Sequence, residues 1–110
     1  MLAMKPVRFL GTARRDLAEF PELARRQAGY DLYMVQIDRK PSDFKPLPTV
    51  GSGAYELRIR DAGGAFRVVY VAKFKHAVYV LHAFQKKTRK TSQTDLNLAA
   101  RRYALIGDKS

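Results

Sequence analysis

The sequence predicts a small α+β domain with the element order βααβββα, in which the helices pack on one face of a mostly antiparallel, twisted sheet. Apolar residues recur at three- and four-residue steps between residues 13 and 37, which predicts helices there. Residues 55–60 alternate between apolar and charged side chains, and two apolar runs follow across short turns, which predicts a three-stranded meander. A chain of 110 residues suits one core, so residues 1–110 are expected to form a single domain.

The N-terminal half is predicted to contain one strand and two helices. Residues 5–11 should form a strand that begins near a proline. Thr12 is a favourable N-cap for a helix over 13–20, and Pro21 suits the first turn of a second helix over 21–37, although one kinked helix would also fit. Gly29 could break this helix, because glycine disfavours helix interiors. Residues 38–53 hold three prolines and two glycines and are predicted to be a loop.

The C-terminal half is predicted to contain the meander and a last helix. The apolar residues of the first strand, 55–60, should face the core and its charged residues the opposite side. The next strands are expected over 65–74 and 78–84. Ser92 and Asp95 have the spacing of a capping box, and Gly107 should end the helix that follows. The sheet face away from the helices, or its rim, would then be open to a ligand.

The charge of the chain indicates an anionic partner. Lys and Arg number 21 against 10 acidic residues, which gives a net charge of +11 and a pI near 10.3. Nucleic acid, the ribosome, anionic lipid or an acidic protein would all fit, and so would a solvated basic surface. The absence of cysteine excludes disulfides and thiolate chemistry. With no long apolar run and no signal-peptide pattern, a cytoplasmic protein without a membrane partner is expected.

Cationic side chains are predicted to meet at one end of the meander. The apolar strand 78–84 runs directly into Lys86, Lys87, Arg89 and Lys90, with no acidic residue among them. Neighbouring antiparallel strands would bring further cations within reach. Fixed cations around one point can hold a phosphodiester and stabilise the charge of its transition state. If the 2′-hydroxyl of RNA is the nucleophile, no metal or other cofactor is needed. The further cations expected at this site are Arg58, Arg60 and Arg67, with additional RNA contacts from Lys45 and Lys73.

Few residues can transfer protons. Glu56 is flanked by cations and could be a general base, although a salt-bridge role is the plainer interpretation. His82 is of the residue type that most often transfers protons, but it lies in an apolar strand, where a core histidine is the more plausible interpretation. Lys86 or Lys87 could be an acid if its neighbours lower its pKa. The two histidines and the acidic residues show no metal-ligand spacing, so neither a metal nor a cofactor is predicted.

Four segments carry a family resemblance: residues 43–48, 55–58, 64–70, and 80–88 with 90–91, of which the last, followed by a helix, is the most specific. In these segments the chain resembles the RelE/ParE superfamily of bacterial toxins, in particular its HigB-like, phage-associated branch. The resemblance implies a small RelE-like domain and the toxin of a type II toxin–antitoxin pair. RelE and HigB members cleave mRNA at the ribosomal A site without a metal. An antitoxin silences them, and in HigB-like pairs it is often a helix-turn-helix DNA-binding protein encoded next door.

The resemblance also assigns roles to residues. It places the key arginine on Arg67, a basic residue of the preceding strand on Arg58, and the basic pair after the last strand on Lys86 and Lys87. Glu56 matches the position where some relatives carry a catalytic glutamate. Threonines stand where other relatives carry a catalytic histidine or tyrosine, so the general base stays open between Glu56 and His82. Two other functions also stay open: a ParE-like inhibitor of DNA gyrase that cuts nothing, and a plain nucleic-acid-binding module.

Overall fold

The computed structural model describes residues 4–107, so the two ends of the predicted domain, residues 1–3 and 108–110, lie outside the described residues. Within that range the chain forms five strands and three helices. In chain order these elements are β1 (Val7–Phe9), α1 (Ala13–Ala18), α2 (Glu22–Gln36), β2 (Phe44–Pro46), β3 (Ala54–Asp61), β4 (Gly64–Val71), β5 (Val78–Lys86) and α3 (Gln93–Ile106).

One mixed sheet with the strand order β1-β5-β4-β3-β2 forms the centre of the molecule. The antiparallel pairings of β3 with β4 and of β4 with β5 confirm the predicted meander. β1 pairs in parallel with β5, with Val7 opposite Val78, so the sheet is mostly but not entirely antiparallel. The predicted α+β class is confirmed. None of the helices in residues 4–107 is long and apolar enough to cross a membrane.

The segment predicted as a loop, residues 38–53, contains an additional short strand. β2 pairs antiparallel with β3, with Phe44 opposite Leu57 and Pro46 opposite Tyr55. A proline is tolerated here because β2 is the edge of the sheet and needs no hydrogen-bond donor on its outer side. A three-residue strand is too short to show an alternating pattern, so the prolines of residues 38–53 dominated the prediction of a loop.

Helices α1 and α2 cover one face of the sheet. They are separate helices, and Pro21 is the N-cap of α2. Gly29 does not interrupt α2, which is continuous from Glu22 to Gln36. The apolar stripe predicted for these helices packs on side chains of β3, β4 and β5. The buried residues of this layer include Phe20, Ala24, Ala28, Leu32 and Val35 from the helical region and Leu57, Ile59, Phe66, Val68 and Tyr70 from the strands.

The last helix, α3, packs on the opposite face, whereas the sequence suggested one face for all helices. Val69, Val71 and Leu81 are apolar and point away from α1 and α2, so this face also needs a cover. Ala99 and Ile106 of α3 provide part of it. The predicted cap is present, since the Ser92 hydroxyl accepts a hydrogen bond from the backbone N–H of Asp95 at 3.1 Å. The helix ends at Gly107, whose φ is +54°.

A register shift in β5 determines which side chains reach the open end of that face. Val69 lies opposite His82, but Tyr70 lies opposite Val80, so Leu81 is an extra residue in β5. Such a bulge reverses the alternation of side chains beyond it. Without the bulge, Lys86 would share a face with Val80, under α1 and α2. With it, Lys86 points to the face of α3.

Candidate nucleic-acid interface

A groove of about 410 Å³ lies on the α3 face, where the helix leaves the sheet uncovered. It contains six lysine and arginine side chains and no acidic one among its lining residues. We call it the cationic groove. Its lining residues are Lys45, Leu47, Arg58, Arg67, Lys86, Arg89, Lys90, Thr91 and Leu96.

Four strands deliver cations to the cationic groove. Arg58 of β3 lies directly opposite Arg67 of β4, and Lys45 of β2 lies opposite Glu56 of β3. The register shift adds Lys86 from β5. Like charges that face each other across strands destabilise a sheet. The arrangement therefore needs acidic partners close by, and two are present, one buried beneath the groove and one at its rim.

The buried partner is Glu56, whose side chain is shielded from solvent beside Arg67. The Nε atom of Arg67 lies 3.6 Å from Oε1 of Glu56, which is an ion pair without a hydrogen bond. The Nη1 atom of Arg67 donates to the carbonyl of Phe66 at 3.1 Å. Burial lowers the pKa of Arg67, the carboxylate of Glu56 opposes that effect, and the charges of Arg58 and Arg60 add to it.

Two further groups of the groove approach Glu56. The Thr91 hydroxyl donates to its Oε2 atom at 2.8 Å, and the Nζ atom of Lys45 lies 4.0 Å from Oε1. Oε1 itself accepts no hydrogen bond within the described part of the chain. Glu56 is therefore the salt-bridge partner that the plainer interpretation expected. It also keeps one lone-pair site that faces two cations of the groove.

The second acidic partner is Asp43 at the rim. Its Oδ1 atom accepts hydrogen bonds from Nε and Nη2 of Arg58 at 3.0 and 2.9 Å, and its carbonyl accepts from the backbone N–H of Arg58 at 2.8 Å. The side chains of Arg58 and Asp43 are about half exposed. Part of the charge of Arg58 is thus already neutralised, a pairing that the sequence did not predict.

Asp43 is itself held in place from α2. The carboxylate of Asp31, which is fully buried, accepts hydrogen bonds from the side chain of Gln27 and from the backbone and hydroxyl of Ser42 at 3.0–3.1 Å. Ser42 immediately precedes Asp43. The polar cluster around Asp31 therefore fixes the start of β2, and with it Asp43 and Lys45.

The segment after β5 folds back over the groove. The Nζ atom of Lys86 donates to the carbonyls of Thr88 and Arg89, and the Thr88 hydroxyl donates to the carbonyl of Lys90. The Thr91 hydroxyl then anchors the end of this segment on Glu56. Arg89 and Lys90 are brought to the groove in this way, with their side chains exposed.

Three of the predicted cations do not line the cationic groove. Lys87 is exposed, and Arg60 lines a smaller recess next to the groove together with Asp43, Arg58 and Arg67. Lys73 lies beyond the other end of β4, where its Nζ is 5.3 Å from the ring centre of Phe74. The alternation of side chains along a strand does not determine where a residue beyond its end points. Lys87 follows β5 and Lys73 follows β4, so the sequence pattern could not position either side chain.

His82 is a core residue that does not line the groove. Its Nε2 atom lies 2.7 Å from Oδ1 of Asp95, and its ring stacks on Phe84 at a centroid distance of 4.6 Å. Its Nδ1 atom is buried without a partner in the described chain. The contact with Asp95 connects β5 to the first turn of α3 and thus positions the residues before that helix.

The family of the chain follows from its sequence. The family described as "Phage derived protein Gp49-like (DUF891)" matches residues 15–104. The chain belongs to this family. None of the curated proteins matches it.

Solved structures identify the fold. The chain resembles a mutant of the E. coli toxin RelE in the free state, with a TM-score of 0.66 and 18% identity over 90% of this chain and 97% of that one. A second similar structure is the toxin–antitoxin complex RelBE2 from Mycobacterium tuberculosis, with a TM-score of 0.49 and 28% identity over 76% of this chain and 99% of that one. The similarity to the E. coli structure shows that this member of the Gp49-like family has the RelE fold.

Proposed function

We propose that this protein is the HigB-like toxin of a type II toxin–antitoxin pair and that it cleaves mRNA on the ribosome without a metal. The observation that carries the proposal is the cationic groove, where side chains of four strands and the segment after β5 surround one buried carboxylate. The RelE fold supports it, since the similar E. coli protein is described as a toxin. The proposed partners are mRNA in the ribosomal A site and an antitoxin with a helix-turn-helix motif.

The groove is suited to an RNA backbone. Its surface cations Lys45, Arg89 and Lys90 are exposed, so they can move to phosphates at little cost. Arg67 is nearly buried and held by Glu56 and the Phe66 carbonyl, so it offers a preorganised charge. A preorganised cation stabilises a phosphorane-like transition state better than a mobile one does. We assign the scissile phosphate to Arg67 and Lys86, with Arg58 at its side.

The proposed reaction is an attack of the 2′-oxygen on the adjacent phosphorus. The 2′-hydroxyl gives its proton to a base, the bond between O2′ and phosphorus forms, and the bond to O5′ breaks. The departing O5′ takes a proton from an acid. The products are a 2′,3′-cyclic phosphate and a 5′-hydroxyl. No metal takes part in this scheme.

Glu56 is the base in this proposal and Lys86 the acid. Glu56 contacts three residues that line the groove, whereas the contacts of His82 are Phe84 and Asp95, outside the lining. When RNA draws Lys45 to a phosphate, the Oε1 atom of Glu56 becomes accessible from the groove. Lys86 lines the groove and Lys87 does not, so Lys86 is the better donor to O5′.

The experiment that tests the proposal is induced expression with and without the neighbouring open reading frame, followed by mapping of mRNA 5′ ends. We expect growth arrest and discrete new ends within translated regions, both suppressed by the neighbouring gene product. Lys86→Ala should abolish the ends. Lys75→Ala, which removes an exposed cation at the β4–β5 turn outside the groove, should leave them unchanged.

Two outcomes would contradict a nuclease. Arrest with intact mRNA and inhibited gyrase would indicate the ParE-like alternative. Absence of arrest, together with salt-dependent binding to RNA or DNA, would indicate a plain nucleic-acid-binding module. Purified protein and programmed ribosomes provide a second test, in which the cut ends should be a 2′,3′-cyclic phosphate and a 5′-hydroxyl.

A further inference from the structure

A second recess lies on the opposite face of the sheet from the cationic groove. It has a volume of about 240 Å³ and combines aromatic rings with basic side chains. We call it the aromatic cleft. Its principal lining residues are Phe44, Tyr55, Tyr70, Lys5, Arg39 and Lys40.

The aromatic cleft and the cationic groove share the same two strands. In β2, Phe44 lines the cleft and the next residue, Lys45, lines the groove. In β3, Tyr55 lines the cleft and the next residue, Glu56, lies beneath the groove. Successive residues of a strand point to opposite faces, so the two sites lie back to back. Because β2 is the edge strand, a flexible polymer can pass around it from one site to the other.

The walls of the cleft are arranged aromatic rings. Tyr55 stacks on Tyr70 with a centroid distance of 5.9 Å, and Phe44 meets Tyr55 edge-on at 5.7 Å. Tyr70 is buried, and its burial raises the pKa of its phenol above the ordinary value. Phe44 and Tyr55 are only partly buried. They leave apolar faces on which a planar base could stack.

The rim of the cleft is cationic because of the way α2 ends. Asp38 adopts a φ of +61°, and the N–H groups of Asp38 and Arg39 bond to the carbonyls of Val35 and Met34. This left-handed turn sends Arg39 and Lys40 past the end of the helix to the cleft. Both are exposed and form no ion pair within residues 4–107. Lys5 donates to the Ala72 carbonyl at 2.7 Å, and Asp38 is the acidic residue of the lining.

We propose that the aromatic cleft is a second RNA subsite, which takes one extruded base of the strand that is cut in the cationic groove. Phe44 and Tyr55 would stack on the base, and Arg39 and Lys40 would bind the phosphates that lead around β2. Aromatic faces beside unpaired cations are the chemistry of single-stranded nucleic acid. The inference rests on the proposed function, since it assigns a further subsite to the same substrate.

The first test compares two double variants with equal change in net charge. Arg39→Glu with Lys40→Glu reverses two charges at the rim of the cleft. Arg25→Glu with Lys75→Glu reverses two exposed charges outside both sites. In cleavage of ribosome-bound mRNA, the rim variant should raise KM roughly tenfold, the size expected from two lost phosphate contacts, with kcat within about twofold. Equal KM values for the two double variants would overturn the proposal.

The second test separates the subsite from catalysis. A message with a 2′-deoxy nucleotide at the cut site cannot be cleaved, and 4-thiouridine placed at successive positions reports contacts by photocrosslinking. We expect crosslinks to Phe44 or Tyr55 from one position close to the scissile phosphate. Phe44→Leu, which keeps apolar volume but not the ring, should weaken binding of this message, and Phe44→Tyr should not.

The outcomes distinguish the two proposals. If the wild-type protein cuts ribosome-bound mRNA but 4-thiouridine at no position of the message crosslinks to Phe44 or Tyr55, the subsite is wrong and the nuclease stands. If the crosslinks to Phe44 or Tyr55 form but natural messages are not cut, the subsite is supported and the nuclease is wrong.

Discussion

Two carboxylates within residues 4–107 are fully buried, and their surroundings differ. Asp31 and Glu56 each have no measurable exposure, and each has one oxygen without a hydrogen-bond partner in the described chain. Asp31 is surrounded by neutral donors of Gln27 and Ser42. Glu56 has one neutral donor, Thr91, and two cations.

The difference indicates what each carboxylate does. Neutral donors satisfy a charge locally, so Asp31 serves to fix the chain around Ser42. Cations within 4 Å of Glu56 couple it to the charge balance of the groove, and any ligand that draws those cations away changes its environment. We therefore expect changes at Asp31 to affect stability, and changes at Glu56 to affect activity together with stability.

The largest effect is expected for Arg67→Ala. It removes the cation closest to the scissile phosphate in the proposed complex and leaves Glu56 buried without its ion-pair partner. Cleavage should fall by a factor of about 100 or more. The free energy of unfolding should fall by about 3 kcal/mol, the range for one partner removed from a buried pair. Urea denaturation and single-turnover cleavage measure the two quantities.

A double variant is the control for this prediction. Arg67→Ala with Glu56→Gln removes the buried charge as well, so most of the lost stability should return while cleavage stays at or below the level of Arg67→Ala. If the double variant is no more stable than Arg67→Ala alone, the two side chains are not coupled. Glu56 would then not be coupled to the cations of the groove, and it would not differ from Asp31 in this respect.

Asp31→Ala comes next. It leaves the donors of Gln27 and Ser42 without their acceptor, which should lower the free energy of unfolding by about 2 kcal/mol. Because Arg67 and Lys86 are held by contacts that do not involve Asp31, kcat for cleavage should remain within about threefold of the wild type at a temperature where the variant is folded. A loss of kcat as large as that of Arg67→Ala would show that Asp31 also belongs to the charge balance.

The sequence predicted the fold well because its long elements have clear periods. The alternation of 55–60 and the apolar stripe of 13–37 each led to the correct element type. The short strand β2 and the bulge at Leu81 could not be predicted, because neither produces a periodic pattern. Both matter for the site, since they bring Lys45 and Lys86 to the cationic groove.

The candidate site was predictable in part. The register of β3 and β4 places Arg58 beside Arg67, and strand pairing alone predicted this. The partners of the charges were missed, because Asp43, Thr91 and Asp95 reach their contacts from other segments of the chain. The available signal was the alternation of residues 55–60, which places Glu56 on the same strand face as Arg58 and Arg60, since a carboxylate that is buried there requires compensating partners.

A smaller effect is expected for Thr91→Val, which removes the neutral donor to Glu56 and keeps the shape of the side chain. A hydrogen bond to a charged group contributes roughly 1.5 kcal/mol, so the free energy of unfolding should fall by about that amount. The segment before α3 would lose its anchor, and KM for mRNA should rise. Thr91→Ser retains the hydroxyl, so its free energy of unfolding and its KM should be close to those of the wild type. If Thr91→Ser loses as much stability and raises KM as much as Thr91→Val, the hydrogen bond to Glu56 is not the cause.

The smallest loss of stability is expected for Asp43→Asn. This substitution should strengthen the contact of Arg58 with RNA, whereas Arg67→Ala and Thr91→Val should weaken cleavage or binding. Both side chains of the Asp43–Arg58 pair are about half exposed, so its loss should cost less than about 1 kcal/mol of unfolding free energy. Arg58 would gain freedom to bind a phosphate, and the slope of log K against log salt for RNA should become steeper by up to about one unit. Filter binding with a short single-stranded RNA over a range of salt concentrations measures this slope. An unchanged slope would place Arg58 outside the RNA contact, and Arg67 and Lys86 would then hold the phosphate without it.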